Sequence, residues 1–174
     1  EARTWRLIFL SSGEVGLEDR LNEDGRKAKA GQSVRVPDIP CPSSGMFMDA
    51  HGYPSMGAFA EALKRAAREH YGHAARRFLA CLCEEWGRRD DLARKLQAME
   101  TEWMDRTIPA GVDPQVRRVG GRFALVAVAG ELAREMGILP WPEGEASRAA
   151  AHCFRAWLDR RGHASSSETV RAVQ

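Results

Sequence analysis

The sequence lacks the local motifs of the common self-contained catalytic sites. It contains no G-x-x-x-x-G-K-[ST] phosphate-binding loop, no hydrophobic strand ending in paired carboxylates, no nucleophile elbow and no H-E-x-x-H zinc motif. Nucleotide hydrolysis needs groups that cradle the phosphates and hold magnesium. We therefore expect that this chain does not hydrolyse ATP by itself.

The sequence contains few cysteines and histidines, and their spacing does not match that of known metal sites. Of the four cysteines, Cys81 and Cys83 lie two positions apart in a helical stretch, where they point about 200° away from each other. His70, His73, His152 and Cys153 give no zinc spacing either. We interpret these residues as small buried thiols and surface histidines, and we expect no metal site. With no secretory signal visible, a reducing, cytoplasmic location is expected.

Long hydrophobic runs are also missing. The longest, FALVAVAG at residues 123–130, falls far short of the roughly 20 residues that span a membrane. We expect a soluble chain with no membrane partner. The charge is nearly balanced, with 26 basic and 24 acidic residues. This balance argues neither for nor against binding to nucleic acid, because such binding depends on how the charges cluster.

What is present begins with a small α/β pattern. Residues 5–10 are apolar and β-rich, which predicts a strand buried on both faces. A charged helix with Leu17 and Leu21 on one side follows, and QSVRVPDIP at residues 32–40 predicts a second short strand. The result is a βαβ unit with parallel strands. Two strands do not make a stable sheet, so this part needs neighbouring strands or a covering layer.

The rest of the chain predicts about five amphipathic helices. Ser55 is a good N-cap for the first, and Asp113 followed by Pro114 opens the fourth. The fold class is thus mostly α with a small α/β part. The expected organisation is 1–40 for the α/β part, 41–54 for a loop, 55–162 for the helical subdomain and 163–174 for a linker. Four tryptophans are expected in the helical core: Trp86, Trp103, Trp141 and Trp157.

Small polar residues follow the first predicted strand. In ring ATPases a polar side chain at a strand tip can orient the water that attacks the γ-phosphate, and Ser11 or Ser12 fits that position. The simpler interpretation is a Ser-Gly turn that caps the next helix. From spacing alone, the turn is favoured.

Basic residues cluster in two places. Arg26, Lys29 and Arg35 lie just before or within the second predicted strand, where a cation could reach a neighbouring subunit's phosphate. The second cluster, Arg117, Arg118 and Arg122, lies near the start of an apolar helix, from which a lid could supply a cation to a nucleotide. By pattern alone, a solvated helix surface is the favoured interpretation of the first cluster, and it is favoured more strongly for the second.

Five segments together resemble domain-of-unknown-function family 927, whose members occur in bacterial prophages and plasmids. The segments are WRLIFLSSGE, AGQSVRVPDIP, HYGHAARRFL, RRVGGRFALVAVAGELA and GEASRAAAHCFRAWLDRRG. The family is helicase-like or primase-associated and similar to P-loop ATPases. The resemblance implies a RecA/AAA-like sheet whose phosphate-binding loop lies N-terminal to the first segment. It singles out residues 11–14, Arg35 with Asp38, and Arg122.

The resemblance therefore implies a C-terminal piece of a DNA-dependent, helicase-like ATPase from a mobile-element replication module. The absence of an initial Met agrees with a piece of a longer protein. In the intact protein we expect ATP and magnesium as cofactors, DNA as a partner and homo-oligomers. We expect none of the cofactors bound to this piece. The alternative is a non-catalytic helical module that binds DNA or another protein through the basic residues of 64–89.

Overall fold

The computed structural model describes residues 8–26, 34–43 and 45–161, apart from the side chains of Glu18 and Trp86. The chain divides into two compact units, Glu1–Asp38 and Ile39–Gln174. The described part is mostly helical. Each unit has its own architecture and is taken in turn.

Within its described residues, the first unit contains one complete short helix and no strand. Helix α1 spans Leu17–Glu23. Residues 8–13 have no regular structure, and Val34 and Arg35 are helical. The predicted second strand is therefore wrong at these two positions. The first predicted strand is not observed over residues 8–10, while residues 5–7 lie outside the described part. A strand is held by hydrogen bonds to its neighbours, and no neighbouring strand is found in the described part of the chain.

The second unit contains the five helices that the sequence predicts. A 3₁₀ turn, Glu85–Arg88, connects the second of them to the third. No helix or strand interrupts the described residues of 41–54. The helices are α2 Met56–Glu69, α3 His73–Glu84, α4 Arg89–Thr107, α5 Pro114–Glu135 and α6 Glu145–Arg161.

Local capping explains where two of these helices begin. The Ser55 hydroxyl accepts a hydrogen bond from the backbone N–H of Ala58 at 3.1 Å. The Asp113 carboxylate accepts one from the N–H of Gln115 at 2.7 Å, and Pro114 occupies the first helical position. Each cap satisfies an N–H that the helix itself cannot pair, so both starts follow from the sequence.

The core of the second unit is a bundle of α4, α5 and α6. Phe154 lies at its centre, fully buried, with the rings of Trp103, Phe123 and Trp157 at centroid distances of 6.2, 5.7 and 5.8 Å. Trp103 and Trp157 are buried as predicted, but Trp141 is 46 % exposed. The prediction for Trp141 is wrong because this residue lies between two prolines outside any helix, where helical periodicity does not decide burial.

Glycine allows α5 and α6 to approach closely. A methyl group at Gly130 would lie 2.5 Å from the Cβ of Ala146 on α6. Real Cβ atoms do not approach that closely, and the Cβ of Ala146 is fixed to its backbone. Gly121 is different, because a methyl group there would meet only Glu100 Oε1 at 3.8 Å and Met104 Sδ at 4.0 Å. The close approach of α5 and α6 therefore depends on Gly130, whereas Gly121 faces α4 and has room for a methyl group.

Helix α2 packs mainly against its own preceding loop. The rings of Phe47, His51 and Tyr53 lie 5.0, 5.0 and 5.5 Å from the ring of Phe59. No residue of α2 is fully buried, and Leu63 is 43 % exposed. The apolar side of this helix is therefore only partly covered.

Across the described residues, no helix has the length and apolar character that crossing a membrane requires.

Substituting Gly130→Ala is expected to destabilise the fold by about 2 kcal/mol, because the added methyl group overpacks the α5–α6 contact. Gly121→Ala is the matched control. It should be neutral or stabilise the protein by up to about 1 kcal/mol, since alanine is the better helix former and has room. Urea denaturation followed by circular dichroism measures both. Equal stability of the two variants would contradict the close contact.

Candidate functional site

Four of the six residues predicted for a nucleotide site fall in the described part of the first unit. Ser11 and Ser12 are exposed and lie in a segment without regular structure. Arg26 is exposed just after α1, and its backbone N–H donates to the carbonyl of Leu21 at 2.8 Å. Arg35 is exposed on helical backbone. Lys29 lies outside the described residues.

The sixth residue, Arg122, lies on α5 in the second unit and is half-buried. The two other arginines of this cluster, Arg117 and Arg118, differ in whether they have an ion-pair partner. Arg117 forms an ion pair with Asp105 at 3.7 Å, whereas Arg118 is exposed and makes no ion pair or hydrogen bond within the described residues. The predicted residues thus fall in two units, each of which is described by itself.

The basic residues of α2 to α4 are largely neutralised. Ion pairs join Lys64 to Glu61 at 2.8 Å and Arg77 to Glu84 at 3.3 Å. The hydrogen bond from Lys64 lowers the pKa of Glu61 below its ordinary value. Two further pairs, Arg88 with Glu85 at 2.7 Å and Arg89 with Asp90 at 3.7 Å, continue the pattern. Arg65 also acts electrostatically on Glu61, so among the seven basic residues proposed for a DNA-tracking surface only Arg68 and Arg76 have no carboxylate partner in the described part.

Two shallow depressions occur on the helical unit. One, of about 400 Å³, lies between α4 and the end of α5, and Lys95 and Glu135 pair across it. The other, of about 370 Å³, lies under the α4–α5 loop and contains the Arg117–Asp105 pair. In both, the principal cations already face carboxylates. Neither offers an unpaired cluster for a ligand.

The most deeply set charged group is Glu131 on α5, which sequence reasoning missed. Its two carboxylate oxygens accept hydrogen bonds from the backbone N–H groups of Gly144 at 3.1 Å and Ser147 at 3.0 Å. These are the N–H groups at the start of α6. In a capping box the helix's own side chains satisfy them, but here a neighbouring helix supplies the acceptor. The signal in the sequence was an acidic residue within a strongly apolar stretch, ALVAVAGELA.

The environment of Glu131 favours its charged form. Burial alone would raise its pKa, but the N–H groups of Ser147 and Gly144 and the Arg134 guanidinium, 3.4 Å away, together lower the pKa below the ordinary 4.5. The carboxylate also faces the positive end of the α6 dipole. Both carboxylate oxygens are therefore engaged in holding the start of α6 in place.

No three His, Cys, Asp or Glu side chains come together as a metal site in residues 8–26, 34–43 and 45–161. Comparison with protein-family models, with curated proteins and with solved structures finds no match to this chain.

Glu131→Gln is expected to destabilise the protein by about 2 kcal/mol at pH 7, because a charged acceptor of two partly buried N–H groups is lost. The lowered pKa means that the carboxylate contributes stability above pH 4.5 and loses it as pH falls through the folded-state value. The stability difference between wild type and variant should therefore shrink below pH 4.5.

Denaturant titrations from pH 3 to 7 measure this difference. Glu143→Gln is the matched control, since Glu143 is exposed and its side chain has no hydrogen bond in the described part. A difference for Glu131→Gln that does not change with pH would show that its charge is unimportant.

Proposed function

We propose that this chain is part of a helicase-like, DNA-dependent ATPase. Residues 8–13 supply a strand and its polar tip to the nucleotide-binding sheet, and α2 to α6 form a helical lid. The phosphate-binding loop and the magnesium ligands are supplied by sequence preceding this chain. ATP and magnesium therefore belong to the longer protein, which acts on DNA as a homo-oligomer.

The observation that carries this proposal is the exposed apolar segment at residues 8–10. Ile8, Phe9 and Leu10 are 61, 83 and 96 % exposed. Leaving large apolar side chains in water costs about 1.5–3 kcal/mol each relative to full burial. A run of three such residues with β-forming character matches a central strand whose neighbours are missing. The same segment leads directly into Ser11 and Ser12, where a phosphate-sensing group is expected.

In this proposal the basic residues contact the phosphates of ATP. Arg35 acts across a subunit boundary as an arginine finger, supported by Arg26 and Lys29. Arg122 contributes from the lid. Guanidinium groups suit this task because they stay charged and can bind phosphate oxygens in pairs.

The surface charges of the helical part favour a lid over a DNA track. A protein that follows DNA presents unpaired cations to successive phosphates. On α2 to α4, four of the seven candidate cations already face carboxylates within 4 Å. Mixed charge of this kind agrees with a surface that supports other protein elements.

A second candidate function is a non-catalytic module that binds another protein. The specific observation in its favour is α2, which has no buried residue although Met56 and Leu63 lie on its apolar side, 40 and 43 % exposed. Exposed apolar surface of this kind is typical of interaction sites. This candidate predicts partner binding without any dependence on ATP.

ATP hydrolysis by this chain and by the longer protein, each with and without single-stranded DNA, separates the two candidates. Turnover by the longer protein alone, accelerated by DNA, would support the ATPase. Hydrolysis by the isolated chain would overturn our view that it lacks the phosphate-binding loop. No turnover by either would favour the protein-binding module.

In the longer protein, Arg35→Ala is expected to reduce DNA-stimulated ATP turnover by about 10³-fold or more while nucleotide binding is nearly unchanged, as for loss of an arginine finger. Arg68→Ala, an exposed and unpaired arginine on α2, is the matched control and should leave turnover intact. Steady-state hydrolysis and nucleotide titrations give the two readouts. Unchanged turnover in Arg35→Ala would remove this role from Arg35.

A further inference from the structure

The side of α5 that faces solvent carries a row of exposed side chains. Arg118, Leu125 and Ala129 follow each other at intervals of seven and four residues, and Val126 lies beside Leu125. Leu125 is 50 % and Val126 is 53 % exposed, although α5 contributes ten buried residues to the unit. From Arg118 to Ala129 this α5 face is about 17 Å long.

Trp141 extends the apolar part of the α5 face. Its ring lies against the helix at Gly130, where an added methyl group would be 3.7 Å from Cζ3 of the indole. Gly130 is one turn beyond Val126, so the indole continues the surface of Leu125 and Val126. Trp141 is 46 % exposed, and its indole N–H has no hydrogen bond in the described part of the chain. A half-exposed tryptophan beside aliphatic side chains is typical of the centre of a protein interface.

The two ends of the α5 face carry opposite charges that have no partner among the described residues. Arg118 is exposed and lies seven residues before Leu125, about 10 Å along the helix. At the other end Glu143 is exposed, and its side chain is also without a partner there. The N–H of the next residue, Gly144, donates to Glu131, which comes six residues after Leu125. Glu143 therefore lies about 9 Å beyond Leu125 along α5.

We propose that the α5 face binds the same face of a second copy of this chain, with the two α5 helices antiparallel. A two-fold axis near Leu125 brings Arg118 of each copy level with Glu143 of the other, because the two charges lie at nearly equal distances on either side of Leu125. Leu125, Val126 and Trp141 of both copies are buried between them. This self-complementary pattern of charge selects a second copy over an unrelated partner. The inference does not rest on the ATPase proposed above, since it requires no nucleotide.

Sedimentation velocity of this chain at increasing concentration measures the dimer. The face is only one helix wide, well below the roughly 800 Å² per partner of a standard interface, so we expect a dissociation constant of about 100 µM. Leu125→Glu places like charges on both sides of the two-fold axis and should weaken dimerisation by about 100-fold or more. Leu79→Glu is the matched control, because Leu79 is 60 % exposed on α3, outside the α5 face. Its dissociation constant should stay within about 2-fold of the wild-type value.

A chain that is still monomeric at about 1 mM would overturn the proposal. So would a dimer that Leu125→Glu weakens no more than Leu79→Glu does. Circular dichroism establishes that each variant is folded before it is compared.

Charge reversal tests the antiparallel arrangement and leaves the apolar centre unchanged. Arg118→Glu or Glu143→Arg alone places like charges opposite each other at both ends of the dimer and should weaken it by about 10-fold. In an equal mixture of the two variants, each reversed charge faces its opposite in the heterodimer, so association should return to wild-type strength. The two residues lie about 20 Å apart along α5 within one chain, so this rescue arises only between copies. A mixture that associates no more tightly than either variant alone would rule the arrangement out.

Discussion

The helical unit depends on the carboxylate of Glu131 and the two N–H groups that it accepts. Through Gly144 and Ser147, α5 fixes the start of α6. The carbonyl of Ser147 also accepts a hydrogen bond from the indole N–H of Trp103 on α4, at 3.2 Å. One residue at the start of α6 is thus bonded to both neighbouring helices. Gly130, the preceding residue on α5, makes this possible because it lets Ala146 approach without a steric clash. Close packing and polar contact therefore specify the same register.

The parts of the fold that were predictable from the sequence are those specified locally. Ser55 and the Asp113–Pro114 pair define helix starts through their own side chains, so neighbours in space are not needed to find them. Periodicity likewise placed Trp103 and Trp157 inside. Trp141 could not be assigned this way, because it lies outside any helix. Residues 34 and 35 were predicted as strand from composition alone, but a strand requires a partner that local sequence does not specify.

The candidate site shows the same division. Clustering of arginines identified the region around Arg122, since clustering is visible in a sequence. Which arginines are already neutralised is not visible, because Asp105, the partner of Arg117, comes from a different helix. The role of Glu131 was also invisible in the sequence, because its hydrogen-bond partners belong to another helix. An acid in an apolar stretch looks like a surface residue until the start of another helix is placed against it.

Helix α5 therefore combines two requirements that are usually met by different elements. One side is buried and fixed by Phe123, Gly130 and Glu131, which makes its backbone rigid. The opposite side keeps Arg118 exposed and leaves Leu125 and Val126 half-exposed, at a cost in apolar free energy. The cost on one side is tolerable because the packing on the other side does not depend on it. This separation allows α5 to carry exposed side chains on one face without weakening the bundle.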